Sequence, residues 1–162
     1  MTKKKIEITS TLTLHSWNSI PQDVQELVSK AKAATENAYA PYSGFMVGAA
    51  VLLQDGQIFM ANNQENVCFP VGVCAERILL GYTNANFPEI PPVKLAIVAR
   101  RASGKEDYAT VTPCGLCRQF ISEYEIKFGL PIELYMYMPS GEVLQASGIN
   151  QLLPFKFEDL NK

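Results

Sequence analysis

The chain has 162 residues, 48% of them hydrophobic and 19% charged, enough apolar mass for one folded domain and too much for disorder. The net charge is −2, which argues against a polynucleotide partner, because phosphate binding wants a basic face. No stretch approaches the ~20 apolar residues of a membrane span, and no signal-peptide pattern follows the Lys3-Lys4-Lys5 run, so a cytoplasmic protein without a membrane partner is expected.

Residues 5–15 alternate Ile6, Ile8, Ser10, Leu12 and Leu14 with polar neighbours, the period of a strand, here read as an added edge strand. Residues 1–18 are read as an N-terminal extension and 19–162 as a single domain. Ser19 offers an N-cap, with Gln22 three positions on. Val24, Leu27, Val28, Ala31 and Ala34 then recur at helical spacing, which predicts a helix to about Ala38, ending before Pro41. Met46 to Gln54 reads as a strand, Asp55-Gly56 as a tight turn, and Gln57 to Ala61 as the hairpin partner.

A helix is predicted over 74–84 and an almost wholly apolar strand over Val93 to Ala99, of the kind covered on both faces. A further helix follows over 114–128. Strands at Ile132 to Met138 and Glu142 to Gln145 flank a turn at Pro139-Ser140-Gly141, and Leu152-Leu153-Pro154 suggests a short C-terminal helix. The order is α, β-β, α, β, α, β-β. It predicts a three-layer α/β/α domain on a five-stranded mixed sheet, with two strand–helix–strand crossovers between parallel neighbours.

Four cysteines in a reducing compartment are not expected to form disulfides. Cys114-Gly115-Leu116-Cys117 places two thiols at i and i+3 on a helix opening. Alone, this CxxC pattern fits a redox pair or half of a structural zinc site about as well as it fits a catalytic one. Cys74-Ala75-Glu76 also opens a predicted helix. If the two helix N-termini meet, Cys74, Cys114 and Cys117 offer three thiolates to a tetrahedral metal and leave one position for water. Helix N-termini favour the thiolate form. Arg77 is expected to hydrogen-bond the sulfurs from outside the ligand set. Glu76 reads as a proton carrier or as a simple helix-end carboxylate. A closed four-cysteine module, with Cys68 as the last ligand, is the non-catalytic alternative.

Cys74-Ala75-Glu76 and Pro113-Cys114-Gly115-Leu116-Cys117-Arg118-Gln119 resemble the signature of the zinc nucleoside deaminases in its all-cysteine form. The resemblance extends to Ala40 through Ala50, to Asn63-Gln64-Glu65-Asn66, to Phe69 through Val73 and to Leu152 through Phe157. Together these are similar to the small tetrameric cytidine deaminases. The resemblance implies one zinc per subunit and Glu76 as proton shuttle. It implies hydrolysis of cytidine and 2′-deoxycytidine to the uridines and ammonia. It also implies that Phe45 packs on the base, that Asn63 and Glu65 hold the ribose, and that the backbone near Ala75 and Cys114 positions the ring. Finally, it implies a homotetramer with shared active sites, in which Phe157 reaches a neighbour's pocket.

Overall fold

The structure is a computed structural model and describes residues 3–158. Its elements, in chain order, are β1 (Thr13–His15), α1 (Gln22–Ala34), β2 (Phe45–Leu53), β3 (Ile58–Asn62), α2 (Ala75–Asn86), β4 (Pro92–Arg101), β5 (Tyr108–Ala109), α3 (Gly115–Phe128), β6 (Glu133–Tyr137) and β7 (Val143–Ala146).

Strand alternation divides the core into two layers. On one face of the sheet, Val24, Leu27, Val28 and Ala31 of α1 pack with Ala50, Ala96, Val98 and Tyr135. On the other, Ala75, Leu79 and Leu80 of α2 and Ile121 and Tyr124 of α3 pack with Ala49, Val51, Leu95, Ile97, Leu134 and Met136. Successive residues of β2, β4 and β6 thus serve opposite layers, and the α/β/α sandwich follows from the period-2 pleat. The apolar run in β4 is buried on both sides, as its composition predicts.

The sheet has seven strands instead of the expected five, with path order β1-β7-β6-β4-β2-β3 and β5 pairing on β4. The N-terminal segment contributes one of the extra strands: Thr13 to His15 pair antiparallel with β7. Ile6 and Ile8 lie outside it and are exposed. Partner length sets the limit, since β7 is only four residues long. The other is β5, whose two residues are too few to carry a period and form a strand only because β4 pairs with them.

One crossover behaves as expected: β4 and β6, joined through α3, are parallel neighbours. The other does not. β2 lies between β3 and β4 and is antiparallel to both, so α2 connects strands that are co-directional but not adjacent. The β2–β3 hairpin claims that position first, because its short turn makes their pairing local.

Helix α1 starts at Gln22 with Pro21 at the N-cap, and Ser19 does not cap it. The Ser19 hydroxyl donates to the Ser16 carbonyl instead. The first-turn N–H groups of Val24 and Gln25 donate to the Pro21 carbonyl. The helix ends at Ala34 and tightens into a 3₁₀ turn over Thr35–Asn37. The end of α1 rests on Gly48 of β2, where a Cβ would come within 2.1 Å of the Ala31 carbonyl oxygen. At the C-terminus the short helix is a 3₁₀ turn at Ile149–Gln151, just ahead of the expected position.

Candidate active site

The hairpin and the helix N-termini place the site where β2 begins and β3 ends. Cys74 is the N-cap of α2 and Cys114 the N-cap of α3. Neither sulfur caps its own helix, so both are free to face each other. Their Sγ atoms are 4.0 Å apart, and the Cys114 and Cys117 sulfurs are 3.5 Å apart. All three pairs lie within 4.8 Å.

A tetrahedral zinc with Zn–S bonds near 2.3 Å requires sulfur–sulfur edges of about 3.8 Å. The two measured spacings bracket that value. The donor set is soft and can be anionic, as zinc prefers. The three cysteines therefore fit the ion as ligands. Among the described residues this is the sole cluster of metal-ligating groups, and Cys68 is not in it. Cys68 is exposed, and its N–H donates to the Asn66 side chain. A closed four-cysteine site is thus not what the fold builds.

The thiols share protons unequally. A hydrogen bond from Cys117 is the largest influence lowering the Cys74 thiol to about 6, with smaller help from Cys114 and the Arg77 charge. That same bond, followed by burial and the nearby Glu76, pushes Cys117 far above the usual thiol range. Arg77 acts on Cys74 through its field alone: among the described residues no hydrogen bond joins it to a sulfur. Its guanidinium carbon sits 6.0 Å from the Phe120 ring centroid.

Glu76 lies in the first turn of α2 and is 4% exposed. Among the described residues no basic side chain pairs with it. Burial raises its carboxyl to about 7, reinforced by the Cys74 charge. A buried, unpaired carboxylate is costly, so its position beside a cation-ready thiol cluster carries chemical meaning.

Cys74, Glu76 and Cys114 line a cavity of about 320 Å³ together with Phe45, Asn63 and Glu65. Phe45 opens β2, and Asn63 directly follows β3. The segment 63–65 is held from two sides. Tyr39 exchanges backbone hydrogen bonds with Asn63 and Glu65, while Gln64 exchanges two with Val73, next to Cys74. This lacing brings the polar pair to the same cavity as the thiol cluster.

The Asn63 side chain is partly committed to the backbone. Its Oδ1 accepts from the Val47 N–H at 2.8 Å and its Nδ2 donates to the Phe45 carbonyl at 2.9 Å. One N–H of the amide remains for a ligand. Glu65 accepts from the Tyr42 and Ser43 N–H groups and from the Ser43 hydroxyl.

Ser43, Val47, Val111 and Thr112 also line the cavity and were not singled out from the sequence. Ser43 lay in plain view inside the Pro41-Tyr42-Ser43-Gly44-Phe45 run. Val111 and Thr112 carry no sequence signal of their own. Ala75 is fully buried. Phe157 is outside this cavity and 63% exposed, its backbone held at both N–H and carbonyl by the Gln119 side chain.

A sandwich that gathers thiols and a buried carboxylate at paired helix starts belongs with the zinc-dependent hydrolytic enzymes. Residues 21–128 match the family model described as the cytidine and deoxycytidylate deaminase zinc-binding region, and the chain belongs to that family. It is 37% identical over 142 residues to a cytidine deaminase of Sporosarcina psychrophila, covering 86% of this chain and 96% of the relative. A cytidine deaminase of Halalkalibacterium halodurans is 34% identical over 143 residues, with 86% and 98% covered. Among solved structures, the cytidine deaminase of Burkholderia pseudomallei superposes with a TM-score of 0.67 at 36% identity, over 82% of this chain and 97% of that one.

Proposed function

We propose that this chain hydrolyses the exocyclic amine of cytidine and 2′-deoxycytidine, releasing ammonia and the corresponding uridine, with Cys74, Cys114 and Cys117 holding zinc and Glu76 moving protons. The observation that carries this reading is the buried Glu76 carboxyl beside the three thiols, on the wall of the cavity that Phe45, Asn63 and Glu65 also line.

When bound, zinc supplies a Lewis acid and lowers the pKa of a coordinated water. Glu76 accepts a proton as water adds at C4 of the base and delivers it to N3. It then carries a second proton to the departing amine, so that C4–N breaks as ammonia leaves. Glu76 is buried on the cavity wall beside the thiols, where a carboxyl can both take and give a proton. Phe45 packs against the pyrimidine face. The backbone at Ala75 and Cys114 positions the ring. The spare Asn63 N–H and the Glu65 carboxylate hold the sugar, chiefly its 3′-hydroxyl, and neither requires a 2′-hydroxyl.

The substrate is a nucleoside and not a nucleotide. Among the described residues no lysine or arginine lines the cavity, and Glu65 would repel a 5′-phosphate. The test is an ultraviolet assay of the zinc-loaded protein on cytidine, deoxycytidine, cytosine, deoxycytidylate and guanine. Turnover confined to the two nucleosides is expected. Preference for deoxycytidylate, or no nucleoside turnover, sinks the reading.

The chain acts in the cytoplasm as a homotetramer, with Phe157 completing a neighbour's site. Exposed Phe69, Phe155 and Phe157 support an assembled state, since large apolar side chains left in water favour burial between copies. No described helix is long and apolar enough to cross a membrane. Light scattering gives the assembly size, and Phe157→Ala should raise KM if the side chain reaches substrate.

A further inference from the structure

The turn over residues 42–44 connects the two substrate-facing parts of the cavity. The Ser43 hydroxyl donates to Oε1 of Glu65 at 2.5 Å, and its oxygen accepts the Phe45 N–H at 3.0 Å. The N–H groups of Tyr42 and Ser43 donate to Oε2 of Glu65 at 2.9 and 3.3 Å. Gly44 makes the turn feasible with φ +64°, a left-handed value that glycine adopts without strain.

A carboxylate offers about four acceptor directions. The turn occupies three of them, which leaves a defined direction for one ligand hydroxyl. The Ser43 hydroxyl bond is also the largest influence holding the Glu65 carboxyl below its usual range, so the group stays an acceptor. The terminal torsion of a glutamate is otherwise broad. Without the hydroxyl, Oε1 loses its only side-chain donor among the described residues, and the Phe45 N–H loses its acceptor.

We propose that Ser43 is a positioning residue for nucleoside binding: its hydroxyl aims Glu65 at the sugar and ties that carboxylate to the backbone of Phe45, whose ring takes the base. This rests on the assignment of Glu65 to the ribose. Ser43 touches no reacting atom in this scheme. Its loss therefore falls on KM and spares kcat, and it falls only on substrates whose sugar hydroxyl Glu65 can accept.

The test compares Ser43→Ala, Ser43→Thr and Glu65→Gln, each zinc-loaded, on cytidine and on 3′-deoxycytidine. Ser43→Ala is expected to raise KM for cytidine about ten-fold, as for a hydrogen bond to a charged group, with kcat within about two-fold. It should leave KM for 3′-deoxycytidine at the parent enzyme's value. Ser43→Thr, which keeps the hydroxyl, should restore most of the loss. An unchanged cytidine KM in Ser43→Ala, an equal loss on both substrates, or a threonine variant no better than alanine overturns the proposal. A Glu65→Gln enzyme that handles both substrates as the parent does overturns the sugar assignment itself, and the Ser43 role with it.

Discussion

Cys74 and Cys114 stand forty residues apart in sequence, yet their sulfurs are 4.0 Å from each other. Each is the residue just before a helix, and the two helices lie on the same face of one sheet. The thiol cluster is thus a consequence of where α2 and α3 begin. The third thiol, one turn into α3, follows from helix geometry alone.

Glu76→Gln keeps the size and burial of the side chain but cannot cycle a proton. Turnover should fall by a factor of at least about 10³, within the span of general acid–base catalysis. Zinc content by atomic emission and folding by circular dichroism should match the parent. Activity retained within ten-fold would remove Glu76 from the proton path.

Cys117→Ala removes a buried sulfur from the cluster and should lower bound zinc well below one per chain. Cys68→Ala should keep its zinc, because Cys68 is exposed and apart from the three. Metal analysis of both variants after dialysis against a weak chelator separates them. Zinc loss in Cys68→Ala would favour a closed site with no room for water.

Gly48→Ala tests the seat of α1 on β2. The added Cβ would lie 2.1 Å from the Ala31 carbonyl oxygen and 2.8 Å from the Thr35 nitrogen, and both are backbone atoms that cannot swing aside. A cost of about 3 kcal/mol is expected. In a scanning thermal melt of the zinc-loaded protein this is a Tm drop of roughly 6–12 °C. An unchanged Tm would mean the helix shifts freely.

Asp23 carries a pH signature. Its carboxyl is held below the usual 3.8, first by the hydrogen bond from Lys94, whose Nζ is 2.5 Å from Oδ2. A group with a depressed folded pKa stabilises above its unfolded value and loses that contribution as pH falls through the folded one. Asp23→Asn should therefore flatten the acid limb of the stability profile below about pH 5 and lower stability slightly at neutral pH. The effect is small because the side chain is 49% exposed. Urea midpoints across the acid range measure it; parallel acid limbs in both proteins would contradict it.

Much of this protein was legible before folding was considered. The periodicity of Val24 through Ala34 gave α1, and the Asp55-Gly56 turn between two strand-forming segments gave the hairpin. The spacing of Cys74, Glu76, Cys114 and Cys117 indicated a metal cluster with a carboxylate beside it. The misreadings have a common source. Ser19 looked like a cap because composition names candidates, while Pro21 holds the position because its fixed φ suits a helix entry. The β5 strand was invisible because two residues have no period.

The sequence by itself determined which of the longer segments become helices and strands, which faces are apolar, and which side chains are candidates for metal and proton chemistry. These are properties of short windows, where 3.6- and 2-residue periods and end-capping act locally. The tertiary structure alone decided that β2 separates β3 from β4, that three sulfurs converge, and that Asn63 divides its amide between the backbone and the cavity. Ser43 grips Glu65 for the same reason. Such relations depend on sheet register between distant segments, and no local pattern encodes a distance across the fold.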